Sequence, residues 1–275
     1  MNIYLFSLIS GVLQGATEFL PVSSSGHLAL LHGVFGFSKP HLAFDVLLHT
    51  GTAAAVVIAY RSEIKRLLPE LRSLVIKVFT GGFSYRSCSP GEKLCAMLFV
   101  STLPLAAGVF VGDAVSSLAS SVRAVGILLM INAAILLLYG AAIKRKKRVP
   151  IKSAGIKSAL IIGFLQLFAA APGISRSGVT ITGGVCEGLS GDDAAKYSFL
   201  LSVPATLGAA VIDVKDVASS GGSLPGTLPC LIGTLAAFIT GLCAIGFIKR
   251  TAKRTNFGIF AIYCFAAGLA ACIYG

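Results

Sequence analysis

Two short polar stretches interrupt a chain that is otherwise very apolar, and the first runs from residue 14 to residue 27. Gln14 and Glu18 are four positions apart and therefore share one face of a helix. Paired side-chain oxygens suit a hard divalent cation that keeps several waters and also contacts phosphate, so we expect Gln14 and Glu18 to bind Mg²⁺ or Ca²⁺. The alternative is an amide–carboxyl hydrogen bond that joins helices.

The same stretch continues after a proline with Ser23, Ser24, Ser25, Gly26 and His27, at the start of an apolar helical run. Serine at such a position is typical of a helix N-cap. The N–H groups of a helix start bind anions, and a hydroxyl there can also act as a nucleophile. His27 lies three residues after Ser24 on the same helix face, so we expect it within reach as an acid or base. The alternative is a cap with no further function.

The second polar stretch, 172–180, places Arg176 between two serines after a Pro-Gly pair. Arginine stays charged and its planar fork matches phosphate oxygens, so we expect Arg176 to bind phosphate. The alternative, an ion pair with Glu18 and no other purpose, would be a costly arrangement in an apolar protein. The candidate substrate-binding residues are Ser23, Ser25, Gly26, Gly173, Ser175, Ser177 and Thr180. The other histidines are interpreted as hydrogen-bonded fillers: His32, His41 and His49.

The composition indicates which elements must position these residues. Hydrophobic residues make up 55% of the chain, charged residues only 12%, and the mean hydropathy is +0.86. A soluble domain has about 25% charged residues, so we expect an all-α polytopic membrane protein. The net charge of +12 would suit a nucleic-acid partner, but 17 of the 23 Lys and Arg lie in clusters between apolar runs. Orientation in a membrane explains this pattern better, and no nucleic-acid partner is expected.

Six apolar runs are long enough to span a bilayer, for which a helix needs about 20 residues. They are 43–60, 94–112, 124–143, 194–212, 228–248 and 257–274. Two further segments, 3–36 and 154–190, turn at the polar stretches, where irregular backbone is tolerated only inside protein or water. We interpret them as re-entrant helical hairpins. The fold predicted is one integral membrane domain, 1–275, with six transmembrane helices and two re-entrant hairpins.

Three clusters of Lys and Arg set the orientation: 61–93, 144–152 and 249–254. Placing them on the inner side gives a consistent alternation over six spans, with both termini outside. The first hairpin then enters from the outer face and the second from the inner face, although two full spans per hairpin would give the same sidedness. The segment 61–80 predicts either an amphipathic helix on the inner surface, attracted to anionic lipid, or a charged loop.

An internal repeat supports this arrangement. At an offset of 152 without gaps, the two polar stretches match at several positions. The pairs include Gly11 and Gly163, Gln14 and Gln166, Ser23 and Ser175, Ser25 and Ser177, and Gly26 and Gly178. Each half, about 1–143 and about 154–275, then has one hairpin and three spans, so the second half is inverted. This predicts an inverted-topology repeat with the site near the midplane, whereas the alternative is chance matching.

These residues resemble those of the bacterial undecaprenyl-diphosphatases of the bacitracin-resistance type. That family's Glu/Gln-x-x-x-Glu and Phe-Leu-Pro-Val-Ser-Ser-x-Gly-His stand here within 14–27, and its Pro-Gly-x-Ser-Arg-Ser-x-x-Thr stands at 172–180. The resemblance implies removal of the terminal phosphate from undecaprenyl diphosphate, which recycles the lipid carrier for cell-wall synthesis. It implies a divalent cation and an outward-facing site in the bacterial cytoplasmic membrane. By motif position it implies a catalytic group of Glu18, Ser24, His27 and Arg176.

Two classes of function remain open. In the first, Ser24 is activated by His27 or Glu18 and forms a phosphoserine, or water attacks directly. In the second, the protein is a transporter or flippase of prenyl phosphates built on the same repeat. Ser24 and His27 favour hydrolysis, because carriage needs no nucleophile. The expected partners are a polyprenyl diphosphate lipid and membrane lipids, with a second copy of the chain as a candidate.

Overall fold

The computed structural model describes residues 2–35, 42–144, 149–151, 154–220, 226–251 and 257–275. These residues are predominantly helical and form no strand, which confirms the all-α prediction for them. An isolated bridge joins Val149 to Leu189. The α-helices in chain order are α1 (Ile3–Phe19), α2 (Ser24–Phe35), α3 (Leu42–Ala59), α4 (Arg61–Phe79), α5 (Pro90–Thr102), α6 (Gly112–Ala119), α7 (Val122–Ala142), α8 (Ile156–Phe168), α9 (Arg176–Cys186), α10 (Gly191–Ser220), α11 (Thr227–Thr251) and α12 (Gly258–Tyr274).

The helix lengths agree with a multi-pass membrane protein. Within the described residues, Val122–Ala142 and Thr227–Arg250 are long and apolar enough to cross a membrane, and α3 with α4 is a third candidate that is bent by 87°. The predicted span 94–112 is broken, because α5 is followed by the 3-10 helix Leu103–Val111. The prediction of six complete spans therefore goes beyond what these lengths establish.

Each segment predicted as a hairpin contains two short helices separated by a break. α1 and α2 have 17 and 12 residues, and α8 and α9 have 13 and 11, all below the roughly 20 needed to span a bilayer. The second helix of each pair begins after a capping serine. Ser23 Oγ accepts from the N–H of Gly26 at 3.2 Å, and Ser175 Oγ accepts from the N–H of Gly178 at 3.1 Å. The N-cap predicted in the first stretch is confirmed at Ser23, and Ser175 is a second cap that the sequence analysis did not predict.

Small residues let the helices that hold the breaks pack closely. α1 packs against α11, α8 against α5, and α7 against both α9 and α12. A Cβ added at Gly163 of α8 would lie 2.7 Å from the carbonyl oxygen of Ser101 in α5. A Cβ at Gly126 of α7 would lie 2.7 Å from the carbonyl oxygen of Gly268 in α12. Close backbone approach of this kind stabilises helix pairs in a bilayer. Lipid tails are as apolar as the side chains, so the hydrophobic effect does not favour helix association there.

The basic and apolar segment 61–80 is mostly the helix α4, so the charged-loop alternative is wrong. Leu68, Leu71 and Phe79 are exposed, Phe79 at 87%. The acidic Glu63 is turned towards the bundle, where it contacts Lys196 at 3.3 Å. An exposed apolar row on a basic helix is typical of a helix at a membrane surface, and its attraction to anionic lipid stays a prediction.

Some predictions concern residues outside the described part of the chain. They are the filler role of His41, most of the basic cluster 144–152, and the basic pair Lys253 and Arg254.

Candidate active site

The two breaks lie against each other, as the repeat predicted for the motifs. The N–H of Gly173 donates to Ser23 Oγ at 3.1 Å, and Ser177 Oγ donates to the carbonyl oxygen of Leu20 at 3.2 Å. A Cβ added at Gly26 would lie 2.8 Å from the Cα of Gly173, so the two backbones are in direct contact. Gly173 has φ +114, which favours glycine. Residues about 150 apart in sequence therefore form one cluster.

Ser23 is one of the residues that join the two breaks. Its φ of 71 is uncommon for a residue with a side chain. Its hydroxyl accepts from the N–H groups of Gly26 and Gly173 and lies 3.4 Å from Ser25 Oγ. A hydroxyl has two acceptor lone pairs and one hydrogen, so these contacts use its full capacity. Ser23, predicted to bind substrate, holds the backbone in this structure.

Glu18 is the centre of the site. It is only 9% exposed. Its Oε2 accepts from Ser24 Oγ at 2.5 Å and from Gln14 Nε2 at 3.0 Å, and its Oε1 accepts from Arg176. A carboxylate that receives the hydrogen of a hydroxyl is positioned to act as its general base. The structure thus brings together Glu18, Ser24, Arg176 and Gln14, which the sequence analysis had singled out from two motifs.

Arg176 forms the ion pair with Glu18 that had been considered the costlier alternative. The pair does not use the whole guanidinium group. Nη2 donates to Glu18, whereas the buried Nη1 has no hydrogen-bond partner among the described residues. A buried unpaired donor of a charged group is costly, so it marks a position where an anion would be stabilised. The geometry is therefore compatible with the predicted phosphate-binding role as well as with the ion pair.

His27 does not bond Ser24, although it was expected within reach of that serine as an acid or base. Its Nδ1 lies 2.7 Å from the carbonyl oxygen of Ser23, and its Nε2 lies 2.7 Å from the hydroxyl of Tyr263. Because a carbonyl only accepts, Nδ1 is protonated, and Nε2 of the neutral ring accepts from Tyr263. The two rings are nearly parallel, with centroids 5.5 Å apart. In this conformation the carboxylate of Glu18, rather than the ring of His27, contacts the Ser24 hydroxyl.

Asn132 of α7 is a site residue that sequence reasoning missed. It is fully buried. Its Nδ2 donates to the carbonyl oxygen of Pro21 at 3.0 Å, and its Oδ1 accepts from the N–H of Ser175 at 3.0 Å. One amide therefore holds both breaks. The available signal was a polar side chain inside an apolar run, which is rare and costly at membrane depth. Tyr263 was also missed, and a tyrosine in the last apolar run gave no such signal.

His49, interpreted as a hydrogen-bonded filler, is hydrogen-bonded in the structure, but its neighbours belong to the predicted site. Its Nδ1 lies 2.9 Å from Gln14 Nε2 and 3.7 Å from Glu18 Oε2. His32 instead packs edge-on against Phe6, with ring centroids 5.6 Å apart. The sequence could not separate these two histidines, because each simply lies in an apolar helical run.

The remaining predicted substrate-binding residues mainly bond protein groups. Thr180 Oγ1 donates to the carbonyl oxygen of Arg176 at 2.8 Å and lies 2.7 Å from Ser198 Oγ. Ser175 Oγ lies 3.0 Å from Ser177 Oγ. These hydroxyls stabilise the start of α9 and so fix the position of Arg176. Direct contact with substrate remains a prediction for them.

The predicted cation site, Gln14 and Glu18, offers few ligand atoms for a metal ion. Among the described residues, no three His, Cys, Asp or Glu side chains are grouped to hold a metal. Glu18 supplies a carboxylate, and Gln14 turns its NH₂ towards it. Gln14 Oε1 is buried without a described partner. One carboxylate and one unused amide oxygen fit a cation that keeps waters and takes its other ligands from a diphosphate, but not an all-protein cage.

Comparisons with known proteins agree with the motif resemblance. A family model described as Bacitracin resistance protein BacA matches residues 7–270. The undecaprenyl-diphosphatase of Desulforapulum autotrophicum is 39% identical over 271 residues, covering 98% of this chain and 97% of that protein. The undecaprenyl-diphosphatases of Methanosphaera stadtmanae and Korarchaeum cryptofilum are 35% and 36% identical and cover 96% of this chain each. With a match that extends over nearly its whole length, the chain belongs to the BacA family of bacitracin resistance proteins.

Proposed function

We propose that this protein hydrolyses undecaprenyl diphosphate to undecaprenyl phosphate and inorganic phosphate, recycling the lipid carrier for peptidoglycan synthesis and conferring bacitracin resistance. The observation that supports this most is that Glu18 contacts both the Ser24 hydroxyl and the Arg176 guanidinium. A base, a nucleophile and a phosphate-binding cation are thus adjacent. Relatives of similar length named undecaprenyl-diphosphatase support the same activity.

In the proposed reaction, Ser24 Oγ attacks the terminal phosphorus atom and its proton passes to Glu18 Oε2, which lies 2.5 Å away. The bond from that phosphorus to the bridging oxygen breaks, and undecaprenyl phosphate leaves with the electron pair. Water then attacks the phosphoserine, and Glu18 returns its proton to the departing Ser24 oxygen. Both protons of the water leave with inorganic phosphate. This is covalent catalysis by a serine with an adjacent base.

Arg176 would stabilise the charge on the transferred phosphate. Its unpaired Nη1 provides a donor at once, and Nη2 becomes available when Glu18 takes up the Ser24 proton. The starts of α2 and α9 add N–H groups that lack partners within their helices. Positioned donors of this kind contribute most of the catalysis in phosphoryl transfer.

We also propose that a divalent cation is bound together with the diphosphate. Glu18 would hold it through a carboxylate oxygen, and Gln14 through Oε1, which has no partner among the described residues. The cation would neutralise phosphate charge. The overall charge balance supports this, because Glu18 and Arg176 nearly cancel and a diphosphate still brings several negative charges.

The architecture proposed for this activity is an inverted repeat in one membrane domain, with six spans, two re-entrant hairpins and a site that opens to the external face of the cytoplasmic membrane. The short helices on either side of both breaks and the contact between the breaks support it. Lys147→Cys tests the orientation in intact cells. An impermeant reagent should leave Cys at this position unlabelled, and labelling from outside would show that the topology is inverted.

The alternative is a transporter or flippase of prenyl phosphates. Purified protein in detergent separates the two functions, because a micelle has no two sides for transport. We expect phosphate release from undecaprenyl diphosphate by the native protein and none above background by Glu18→Gln. A native protein that releases no phosphate in detergent but moves prenyl phosphate across vesicles would establish the transporter instead.

A further inference from the structure

We propose that His49 of α3 is a positioning residue for this reaction. In this role, which rests on the proposed function, it orients the Gln14 amide, and through the amide the carboxylate of Glu18 that receives the Ser24 proton. The four side chains form a continuous chain of contacts from His49 to Ser24. The distances are 2.9 Å from His49 Nδ1 to Gln14 Nε2, 3.0 Å from Gln14 Nε2 to Glu18 Oε2, and 2.5 Å from Glu18 Oε2 to Ser24 Oγ.

The direction of each hydrogen bond follows from the chemistry of the groups. An amide nitrogen only donates, and an ionised carboxylate only accepts. Gln14 therefore donates one hydrogen to Glu18 and the other to His49 Nδ1, which must have a free lone pair, so the His49 proton is on Nε2. Turning the amide over would place its oxygen about 3 Å from the carboxylate oxygen, where the two would repel. Two acceptors on either side of one NH₂ group hold it in a single orientation.

Loss of the His49 acceptor would remove one of these two constraints. Gln14 is completely buried and its Oε1 has no partner among the described residues. Within that part of the chain, the bond to Glu18 would then be the one remaining hydrogen bond of the amide. The amide could then rotate to satisfy Oε1, and Glu18 Oε2 would lose a donor beside the one from Ser24. A reaction that needs this oxygen aimed at Ser24 should therefore slow, whereas phosphate binding at Arg176 should change little.

A purely structural role for His49 does not explain the same contacts. Its side chain is 36% exposed, whereas Glu18 and Gln14 are buried. A partly exposed side chain contributes little packing energy, and an apolar residue of similar size would serve as well for packing. The observed geometry requires an acceptor, which makes the proposal testable by substitutions that keep or remove the acceptor.

The first experiment compares His49→Leu, which removes the acceptor, with His49→Asn, whose side-chain oxygen can replace Nδ1. In purified protein, His49→Leu should lower kcat by about tenfold with KM within about twofold of the native value, as is typical for loss of a residue that orients a reacting group. His49→Asn should recover most of kcat. Gln14→Leu combined with His49→Leu should be no slower than Gln14→Leu alone. The control is His32→Leu, which lies against Phe6 and should keep native kcat.

The second experiment does not depend on activity. Nitrogen-15 NMR of histidine-labelled protein should show the His49 proton on Nε2, with a Nδ1 signal that shifts in Gln14→Leu. A proton on Nδ1, or equal kcat in His49→Leu and the native protein, would overturn the proposal. If the native protein releases no phosphate, the proposed function fails, and the NMR result still decides whether His49 holds Gln14.

Discussion

In the break before α2, the hydroxyl of Ser23 accepts from the N–H of Gly26 at 3.2 Å, and in the break before α9, Ser175 does the same for Gly178 at 3.1 Å. Both serines also lie near the hydroxyl two residues ahead, at 3.4 Å and 3.0 Å. These pairs are 152 positions apart in sequence. The two breaks therefore share the residues that shape the backbone.

The positions between these shared residues differ. The first residue of α2 is Ser24, and the corresponding first residue of α9 is Arg176. Glu18 corresponds to Ala170, and His27 to Val179. One break therefore has the hydroxyl and the carboxylate, and the other has the guanidinium group. The comparison indicates that matching capping residues place two helix starts together, while the first residue of each helix gives the two starts different chemistry.

The largest effect is expected for Ser24→Ala, because the proposed nucleophile is lost. We expect phosphate release to fall by about a thousandfold or more, with the protein still folded. The control is Ser10→Ala, whose buried hydroxyl has no described partner and should be removed without loss of kcat. Near-native activity of Ser24→Ala would show that the difference between the two helix starts is not catalytic.

The second-largest effect is expected for Arg176, the first residue of α9. Arg176→Lys keeps the charge but loses the planar fork, so we expect a loss of about a hundredfold in kcat/KM. Arg123→Lys at the start of α7 is the matched control and should be near native. Phosphate release by Arg176→Lys equal to that of the native protein would contradict the phosphate-binding role of Arg176.

Asn132→Leu should separate the two breaks from each other. It leaves the carbonyl of Pro21 and the N–H of Ser175 buried without this partner, at a cost of about 1–3 kcal/mol for each group. We expect a lower melting temperature in detergent and a fall in kcat of about tenfold, because the Ser24-to-Arg176 spacing is no longer fixed. A variant that melts like the native protein would show that Asn132 does not hold the breaks.

Tyr263→Phe keeps the ring next to His27 and removes only the hydroxyl. Loss of one hydrogen bond, worth about 1 kcal/mol, should lower kcat by about fivefold. His27→Phe measured alongside gives the effect of losing the imidazole altogether. A drop as large as that of Ser24→Ala would indicate that Tyr263 contacts substrate directly.

The smallest effect on catalysis is expected at the buried carboxylate of Glu92, outside both breaks. Hydrogen bonds from Lys77, Ser73 and the N–H of Ser89 lower the pKa of Glu92 to about 2. A depressed pKa means that this group stabilises the fold above about pH 4.5, and that the contribution is lost as the pH falls towards 2. Glu92→Gln should therefore lower the denaturation midpoint at pH 7 more than at pH 3, with kcat unchanged. Equal shifts at both pH values would contradict the ionic contribution.

The sequence predicted the local features of the site well, for a physical reason. Caps, the four-residue spacing of Gln14 and Glu18, and the partnership of the two motifs all leave patterns in the chain. Tyr263 is 236 residues from His27, and Asn132 is 111 residues from Pro21. Such contacts depend on how distant helices pack, and no local spacing encodes them.

The assignment of the base shows the same limit. Spacing alone placed His27 and Ser24 on one helix face and therefore favoured their pairing. The structure directs the His27 ring to Tyr263, and Glu18 of the preceding helix reaches Ser24 across the break. The path of the chain through Leu20–Ser23 decides this, and its left-handed residue Ser23 was not foreseeable from the serine run.

The most direct test of the central claim, that Ser24 is the nucleophile, is the stereochemical course at phosphorus. Undecaprenyl diphosphate would be prepared with a terminal thiophosphate made chiral by two oxygen isotopes and hydrolysed in water enriched in the third. The released thiophosphate is then chiral, and its configuration would be determined. Each in-line transfer inverts the configuration at the phosphorus atom. Two successive transfers, to Ser24 and then to water, predict net retention of configuration. Net inversion would show a single attack by water and would contradict the phosphoserine intermediate.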